Sequence, residues 1–279
     1  VTRFSASEVV LYSGRFDGQS EGTVEEAVNQ RVLITAGATG IGREFVRAFV
    51  ASGARVYVSD IDSNALSALS TEVEGLVTGI CDNSRRSDIE AMVPEAAQAL
   101  GGLDVLINNA GIAGPTAPVE QLDPGEWDNV ININLTGTFN VTRLAIPYLK
   151  KSSAPSIIIM SSAAGRFGFP NRSPYAASKW GLIGLTKTLS RELGEFNIRV
   201  NAILPGPVAG DRIERVIAAR AELGGRALEE ERALAMSLLS LQRFVDPKDI
   251  AALAVFLASD AGKSISGQMV PIDNDAQGC

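Results

Sequence analysis

From Arg31 onward, short continuous apolar runs alternate with longer stretches in which apolar residues recur every three or four positions. The short runs are Val32–Ile34, Arg55–Ser59, Leu76–Cys81, Leu103–Ile107, Ser156–Met160, Arg199–Leu204 and Gln268–Ile272. Unbroken apolar runs of that length predict strands covered on both faces. The periodic stretches predict helices over Arg43–Val50, Asn64–Glu72, Arg85–Leu100, Pro124–Lys150, Pro174–Glu195 and Pro247–Ala258. Strands alternating with helices through short joins imply right-handed crossovers, and hence an α/β fold with a parallel sheet between two helical layers, three layers in all. In such folds ligands bind beyond the carboxyl ends of the strands.

Two stretches depart from this rhythm. Residues 1–30 carry scattered glycines and one candidate strand, Val9–Leu11, and read as an extension ahead of a single domain over 31–279. Residues 208–243, rich in Ala, Glu, Arg and Leu, read as two short helices around Gly224-Gly225. They form either a flap over a substrate or extra helices covering a sheet edge.

Composition narrows the chemistry. The formal charge of −7, with no long basic run, disfavours nucleic acid or an anionic membrane as partner. No apolar run reaches the length of a membrane span, and the N-terminal residues lack a signal-peptide pattern. Cys81 and Cys279 make no disulfide framework, which points to a reducing, cytoplasmic setting. The chain has no histidine. That removes imidazole metal sites and His-dependent nucleophilic catalysis, leaving a carboxylate, a lysine or a tyrosine to move protons near neutral pH.

Candidate groups cluster at the predicted strand ends. Gly37, Gly40 and Gly42 lie between the first strand and its helix, where bare backbone and free N–H groups suit a phosphate, unless they are turn residues only. Asp60, 18 residues beyond Gly42, can accept hydrogen bonds from ribose hydroxyls and repels a 2′-phosphate. No Arg or Lys stands at Ala38, Thr39, Ile61 or Asp62 to receive such a phosphate, which favours NAD over NADP. Asp82 serves either an adenine edge or the start of the following helix. Asn108 and Asn109 can tie strand ends together, with Ala110 and Gly111 leaving space beside them. Tyr175 and Lys179, four apart on a predicted helix, share a face. An ammonium beside a phenol favours the phenolate, so the pair is a general acid–base without histidine.

Taken together, Thr35 with Gly37, Gly40, Ile41 and Gly42, then Asn108-Asn-Ala-Gly111, Asn134, Ser162, Tyr175-Ala-Ala-Ser-Lys179 and Pro205-Gly206 resemble the short-chain dehydrogenase/reductase family over about residues 31–273. The resemblance implies a Rossmann-type doubly wound sheet and an NAD-dependent oxidoreductase interconverting a secondary alcohol and a ketone. It implies that Tyr175 exchanges the proton and that Lys179 assists it and holds the nicotinamide ribose. It implies that Ser162, 13 residues before Tyr175, binds the substrate oxygen and that Asn134 anchors a proton-relay water. Cofactor contacts implied are Gly37, Thr39, Gly40 and Ile41; Asp60, Asp82 and Asn83; Asn109, Ala110 and Gly111; Tyr175 and Lys179; and Pro205, Gly206 and Val208.

A homo-oligomer, dimer or tetramer, is implied too, through the helices of Asn134 and Tyr175, with Leu182, Leu185 and Leu189 facing either a partner or the sheet. No metal is implied. Three departures stand out: Ala36 where a turn glycine is usual, with Gly37 expected to supply the flexibility; Gly210 where a threonine is frequent; and Asp273-Asn274 for Asp-Gly. The alternatives are an NADP-dependent 3-oxoacyl reductase of the same family, or a dinucleotide-binding protein without catalysis. The arginines Arg212, Arg215, Arg220, Arg226 and Arg232 meet an acidic substrate or are solvated helix faces.

Overall fold

The computed structural model describes residues 29–278, so the candidate strand at Val9–Leu11 lies outside the described residues, as does Cys279. Seven strands form one parallel sheet in the order β3-β2-β1-β4-β5-β6-β7. They are β1 Arg31–Thr35, β2 Arg55–Asp60, β3 Val77–Ile80, β4 Val105–Asn108, β5 Ser156–Met160, β6 Arg199–Pro205 and β7 Met269–Ile272. The expected runs are recovered within one or two residues at each end.

Alternate side chains of each strand feed opposite cores, as a two-residue period requires. Val32, Ile34, Val56, Val58, Ile107 and Ile158 face α1 (Gly40–Ala51), α2 (Ser63–Glu72) and α9 (Pro247–Ala258), whose Phe45, Phe49, Leu69, Ile250 and Leu257 are buried against them. Leu33, Tyr57, Leu106, Ile157 and Ile159 face α3 (Arg86–Leu100), α5 (Thr138–Leu149) and α6 (Ser173–Glu192), with Ile89, Met92, Val141, Leu182 and Leu189. Leu182 and Leu189 therefore belong to the sheet side of α6. Cys81 is buried in this second core, and burial, with Asp88 and Asp82 adding like charge, pushes its thiol up to about 12.

Local signals set the helix starts. Asp62, Asp123 and Asp246 accept backbone N–H bonds from the first turns of α2, α4 (Pro124–Ile131) and α9, with proline in the first turn of the last two. The single long helix expected over Pro124–Lys150 is interrupted. Asn132–Gly137 between α4 and α5 is a π-helical stretch, a feature frequent at functional sites.

The chain reverses direction across the sheet between β1 and β4, which opens a crevice at their carboxyl ends. Beyond β6 the excursion enters α7 (Asp211–Gly224) and α8 (Leu228–Ser237). Its neck is closed by backbone bonds from Ala209 to Val245 and from Val245 to Pro207, both under 3 Å. Among the described residues no helix is long and apolar enough to cross a membrane.

Candidate active site

A cavity of about 630 Å³ opens at the carboxyl ends of β1, β2, β5 and β6 and runs under α7. At one end lies the turn from β1 into α1. Thr39 precedes the helix without a side-chain cap, so the N–H groups of the first turn are left for an incoming acceptor. Gly40, at φ +54, lines the cavity with open space where a Cβ would stand. A Cβ on Gly42 would come within 2.3 Å of the Ala36 carbonyl oxygen, so only glycine lets α1 approach the strand end. Gly37 is set back from the cavity, and a Cβ there would lie 2.2 Å from Val58 Cγ2. Its job is close packing. The positive backbone angle falls instead on Ala36, at φ +50, contrary to the expectation that Gly37 supplies the flexibility.

Asp60 ends β2 at the cavity, its Oδ2 accepting from Ala38 N at 3.0 Å and its Oδ1 from Asp62 N at 3.1 Å. Each oxygen keeps a lone pair for a hydroxyl donor. Between β1 and β4, Thr35 Oγ1 accepts from the backbone N–H of Asn109 and Ala110, both at 3.1 Å. Asn109 Nδ2 returns a bond of 2.8 Å to the Ala36 carbonyl. The asparagine thus ties the strand ends together, and Asn109 and Gly111 reach the cavity while Ala110 lies behind them. Asp82 and Asn83 also stand outside the cavity lining, with Asp82 Oδ1 accepting from Ser84 N at 2.8 Å in the turn before α3. An uncapped helix start, a glycine cradle and a held carboxylate at one end of the cavity fit a dinucleotide's phosphates and ribose.

The other end holds Ser162, Tyr175 and Lys179. Lys179 Nζ lies 5.6 Å from the centre of the Tyr175 ring and donates to the Met160 carbonyl at 2.8 Å. Burial, with Arg212 adding like charge, lowers the Lys179 pKa to about 7. The two serines divide. Ser161 is buried and donates its hydroxyl to the Lys179 carbonyl at 2.9 Å, which pins β5 to α6. Ser162 is half-buried at the cavity wall, its oxygen accepting a 3.2 Å bond from Ala164 N.

Asn134 is fully buried in the π-helical stretch rather than on the cavity wall. Its amide accepts from Ile112 N at 2.8 Å and donates to the Ile112 carbonyl and Ser178 Oγ, each at 3.1 Å. A Cβ on Gly111 would lie 3.2 Å from Asn134 Oδ1 and 3.4 Å from Lys179 Nζ, so that glycine leaves room for both side chains.

Pro205 ends β6, and Gly206 and Val208 continue along the wall and lead into α7. Gly210, at φ +131, occupies a backbone region closed to side-chain-bearing residues, which explains why no threonine stands there. Asn274, at φ +55, makes the left-handed turn where glycine is usual.

Of the five arginines in residues 208–243, Arg212, Arg215 and Arg220 line the cavity. Arg226 and Arg232 instead bond Glu231 and Glu214. Two further wall residues, Phe169 and Arg172, carried no motif. The one available signal for Arg172 is its place just ahead of α6, where a cation opposes the helix dipole and needs a tertiary reason.

A family model described as Enoyl-(Acyl carrier protein) reductase matches residues 35–274. The chain is 39% identical over 248 residues to the 3-oxoacyl-[acyl-carrier-protein] reductase FabG of Thermotoga maritima, covering 86% of this chain and 95% of that protein. An actinorhodin polyketide ketoreductase crystallised with NADPH superposes with a TM-score of 0.84 at 28% identity, over 88% of this chain and 96% of that one. An NAD+-bound xylitol dehydrogenase superposes with a TM-score of 0.85 at 26% identity, over 88% and 98%.

Proposed function

The chain belongs to the short-chain dehydrogenase/reductase family of oxidoreductases acting on hydroxyl or keto groups with nicotinamide dinucleotides, and on that premise we propose an NAD-linked enzyme that interconverts a secondary alcohol and a ketone. The observation that carries this reading is the meeting of Tyr175, Lys179 and Ser162 on one cavity whose far end is the uncapped start of α1.

A bound nicotinamide supplies or accepts the hydride; the chain's residues do the rest. Gly40 and Ile41, with Thr39, offer backbone to the phosphates, Asp60 holds the adenosine ribose, and Pro205, Gly206 and Val208 bound the nicotinamide end. Ser162 donates to the substrate oxygen and fixes it beside Tyr175. Tyr175 gives its proton to that oxygen in reduction and takes it back in oxidation. The Lys179 ammonium balances the charge left on the phenol oxygen, and its exchange between ammonium and amine near neutrality suits it to pass the proton on. Asn134 acts by holding the Ile112 backbone and Ser178 in place behind the pair, at the head of the relay expected from the sequence.

NAD is favoured over NADP because Asp60 would repel a 2′-phosphate, while Arg43 and Arg47 of α1 are both paired with Glu72. The FabG relative supports the rival NADP-linked 3-oxoacyl reductase, and a titration of both cofactors discriminates. Residues 208–243 act as the flap over the substrate. A homo-oligomer is supported by Trp127, Phe139 and Trp180, which stand exposed on α4, α5 and α6. A reducing, cytoplasmic setting is supported by the free thiol of Cys81. Tyr175→Phe tests the mechanism: NADH binding is retained and turnover falls by at least about 100-fold. Substantial residual turnover rejects the proton role.

A further inference from the structure

The substrate end of the cavity is basic on an acidic protein. Arg172, Lys179, Arg212, Arg215 and Arg220 line the cavity, against Asp60 and Asp211. Asp60 stands at the adenosine end, so the excess positive charge gathers around Tyr175.

Arg172 is the centre of that excess. It is 2% exposed, and its guanidinium carbon lies 5.5 Å from the Tyr175 ring centre and 5.2 Å from that of Phe169. Two of its nitrogens bond the 113–116 loop, to the Ala113 carbonyl at 2.7 Å and to Thr116 Oγ1 at 3.4 Å. Its Nε has no partner, and it makes no ion pair among the described residues. Burial, with Arg220 and Arg212 adding like charge against a favourable Tyr175 contribution, lowers its pKa.

The flanking arginines differ in what they have already engaged. Arg212 donates to the Gly111 carbonyl at 2.8 Å and makes no ion pair among the described residues. Arg220 pairs with the buried Glu231 at 2.9 Å and lies 5.9 Å from the Phe169 ring. Buried cations are ordinarily matched by a carboxylate, and a guanidinium is built to receive one through paired N–H groups. Here a wholly buried guanidinium faces a cavity without that match.

We propose that the missing carboxylate belongs to the substrate: the protein acts on a hydroxy acid and its keto acid, with the carboxylate docked on Arg172 and flanked by Arg212 and Arg220. This deepens the oxidoreductase reading and rests on it. In the oxidative direction the carbinol carbon gives its hydride to NAD+ and the hydroxyl gives its proton to Tyr175, which returns it to solvent. A C–H and an O–H bond break, a C=O bond forms, NADH is produced and the carboxylate is unchanged. A positive cavity on a negative chain also steers acids to this end.

The test measures NADH formation from NAD+ by the full chain on lactate, 3-hydroxybutyrate and 4-hydroxypentanoate, each against its methyl ester, with glycerol 3-phosphate as the phosphate arm. For the best acid, kcat/KM exceeds that of its ester by at least about 10-fold, the worth of one charged hydrogen bond. Arg172→Gln collapses the acid-to-ester ratio, mainly through KM for the acid, and Arg172→Lys restores part of it. An ester used as well as its acid, a ratio untouched by Arg172→Gln, or a preference for glycerol 3-phosphate overturns the proposal and leaves the Tyr175 chemistry standing.

Should Arg172→Gln fail to fold, the wild-type acid and ester pairs decide, with Arg212→Gln lowering the same ratio. If no alcohol in the panel reduces NAD+, the NAD-linked alcohol–ketone reading itself is at fault. The anion site is then judged by calorimetric titration with malonate: saturable binding lost in Arg172→Gln and partly kept in Arg172→Lys supports it, and no binding to the wild type, or binding unchanged in Arg172→Gln, overturns it.

Discussion

Raising the pH through neutrality should stabilise this protein through one buried amine. Lys179 is 5% exposed, donates to a single carbonyl, and has its pKa lowered from 10.5 to about 7 by burial first and by Arg212 second. Unfolding returns the side chain to water, where it titrates near ~10.4. Below pH 7 both states hold the proton, and the folded chain carries the full cost of a buried charge. Between pH 7 and about 10 the unfolded chain keeps a proton that the folded chain has released, so stability rises with pH across that window. At about 1.36 kcal/mol per pKa unit the effect is on the order of 4–5 kcal/mol by pH 10.

Lys179→Met keeps the apolar stem and removes the titration. Urea unfolding of both proteins at fixed ionic strength, in unit steps from pH 6 to pH 10, isolates the term because every other group is common to the pair. The variant should be the more stable at pH 6, with the gap closing by several kcal/mol as the pH rises. A gap that stays constant would falsify the account and mean that the folded chain keeps this lysine charged throughout. The same titration bears on mechanism, since a lysine that exchanges its proton near neutrality can both neutralise Tyr175 and relay its proton.

Three further outcomes follow from the turn and its surroundings. Asp60→Ala should narrow the ratio of kcat/KM with NAD to that with NADP by about 10-fold, the loss of a charged hydrogen bond and of a repulsion, and an unchanged ratio rejects the ribose role. Ala36→Gly should stabilise the chain by about 0.5–1 kcal/mol in thermal unfolding, because a left-handed alanine costs about 1–2 kcal/mol and glycine's extra unfolded freedom returns part of it. A clear destabilisation contradicts the strain. Gly37→Ala should cost about 1–3 kcal/mol through the contact with Val58 Cγ2, and Val58→Ala in the same chain should recover much of it. Additive losses in that double variant would place the clash elsewhere.

Strand identity, layer order and the main parts of the candidate site were legible because each rests on local spacing. Val32 to Ile34 is an apolar run whether or not its neighbours are known, and the four-residue step from Tyr175 to Lys179 puts both on one face of any helix. The preference for Ser162 over Ser161 rests on spacing in the sequence; in the structure Ser161 spends its hydroxyl on the Lys179 carbonyl, while Ser162 lines the cavity. The π-helical break at Asn132–Gly137 was not legible, because the residues on either side keep ordinary helical periodicity.

The sequence by itself determined a parallel α/β fold, through periodicity and turn glycines, all properties of neighbouring residues, and its motifs resemble an oxidoreductase family. Tertiary structure alone decided that Ala36 bears the strained backbone and that burial lowers the Lys179 pKa. It alone turned Arg212, Arg215 and Arg220 to the cavity wall, left Arg226 and Arg232 off it on Glu231 and Glu214, and sealed Arg172 beside Tyr175 without a carboxylate. Those outcomes depend on desolvation and charge balance among segments far apart in the chain: Arg172 meets the loop at Ala113 and the flap at Arg212 and Arg220 only once the sheet has brought them together. A side chain's distance from water is a property of the packed whole, and no local spacing encodes it.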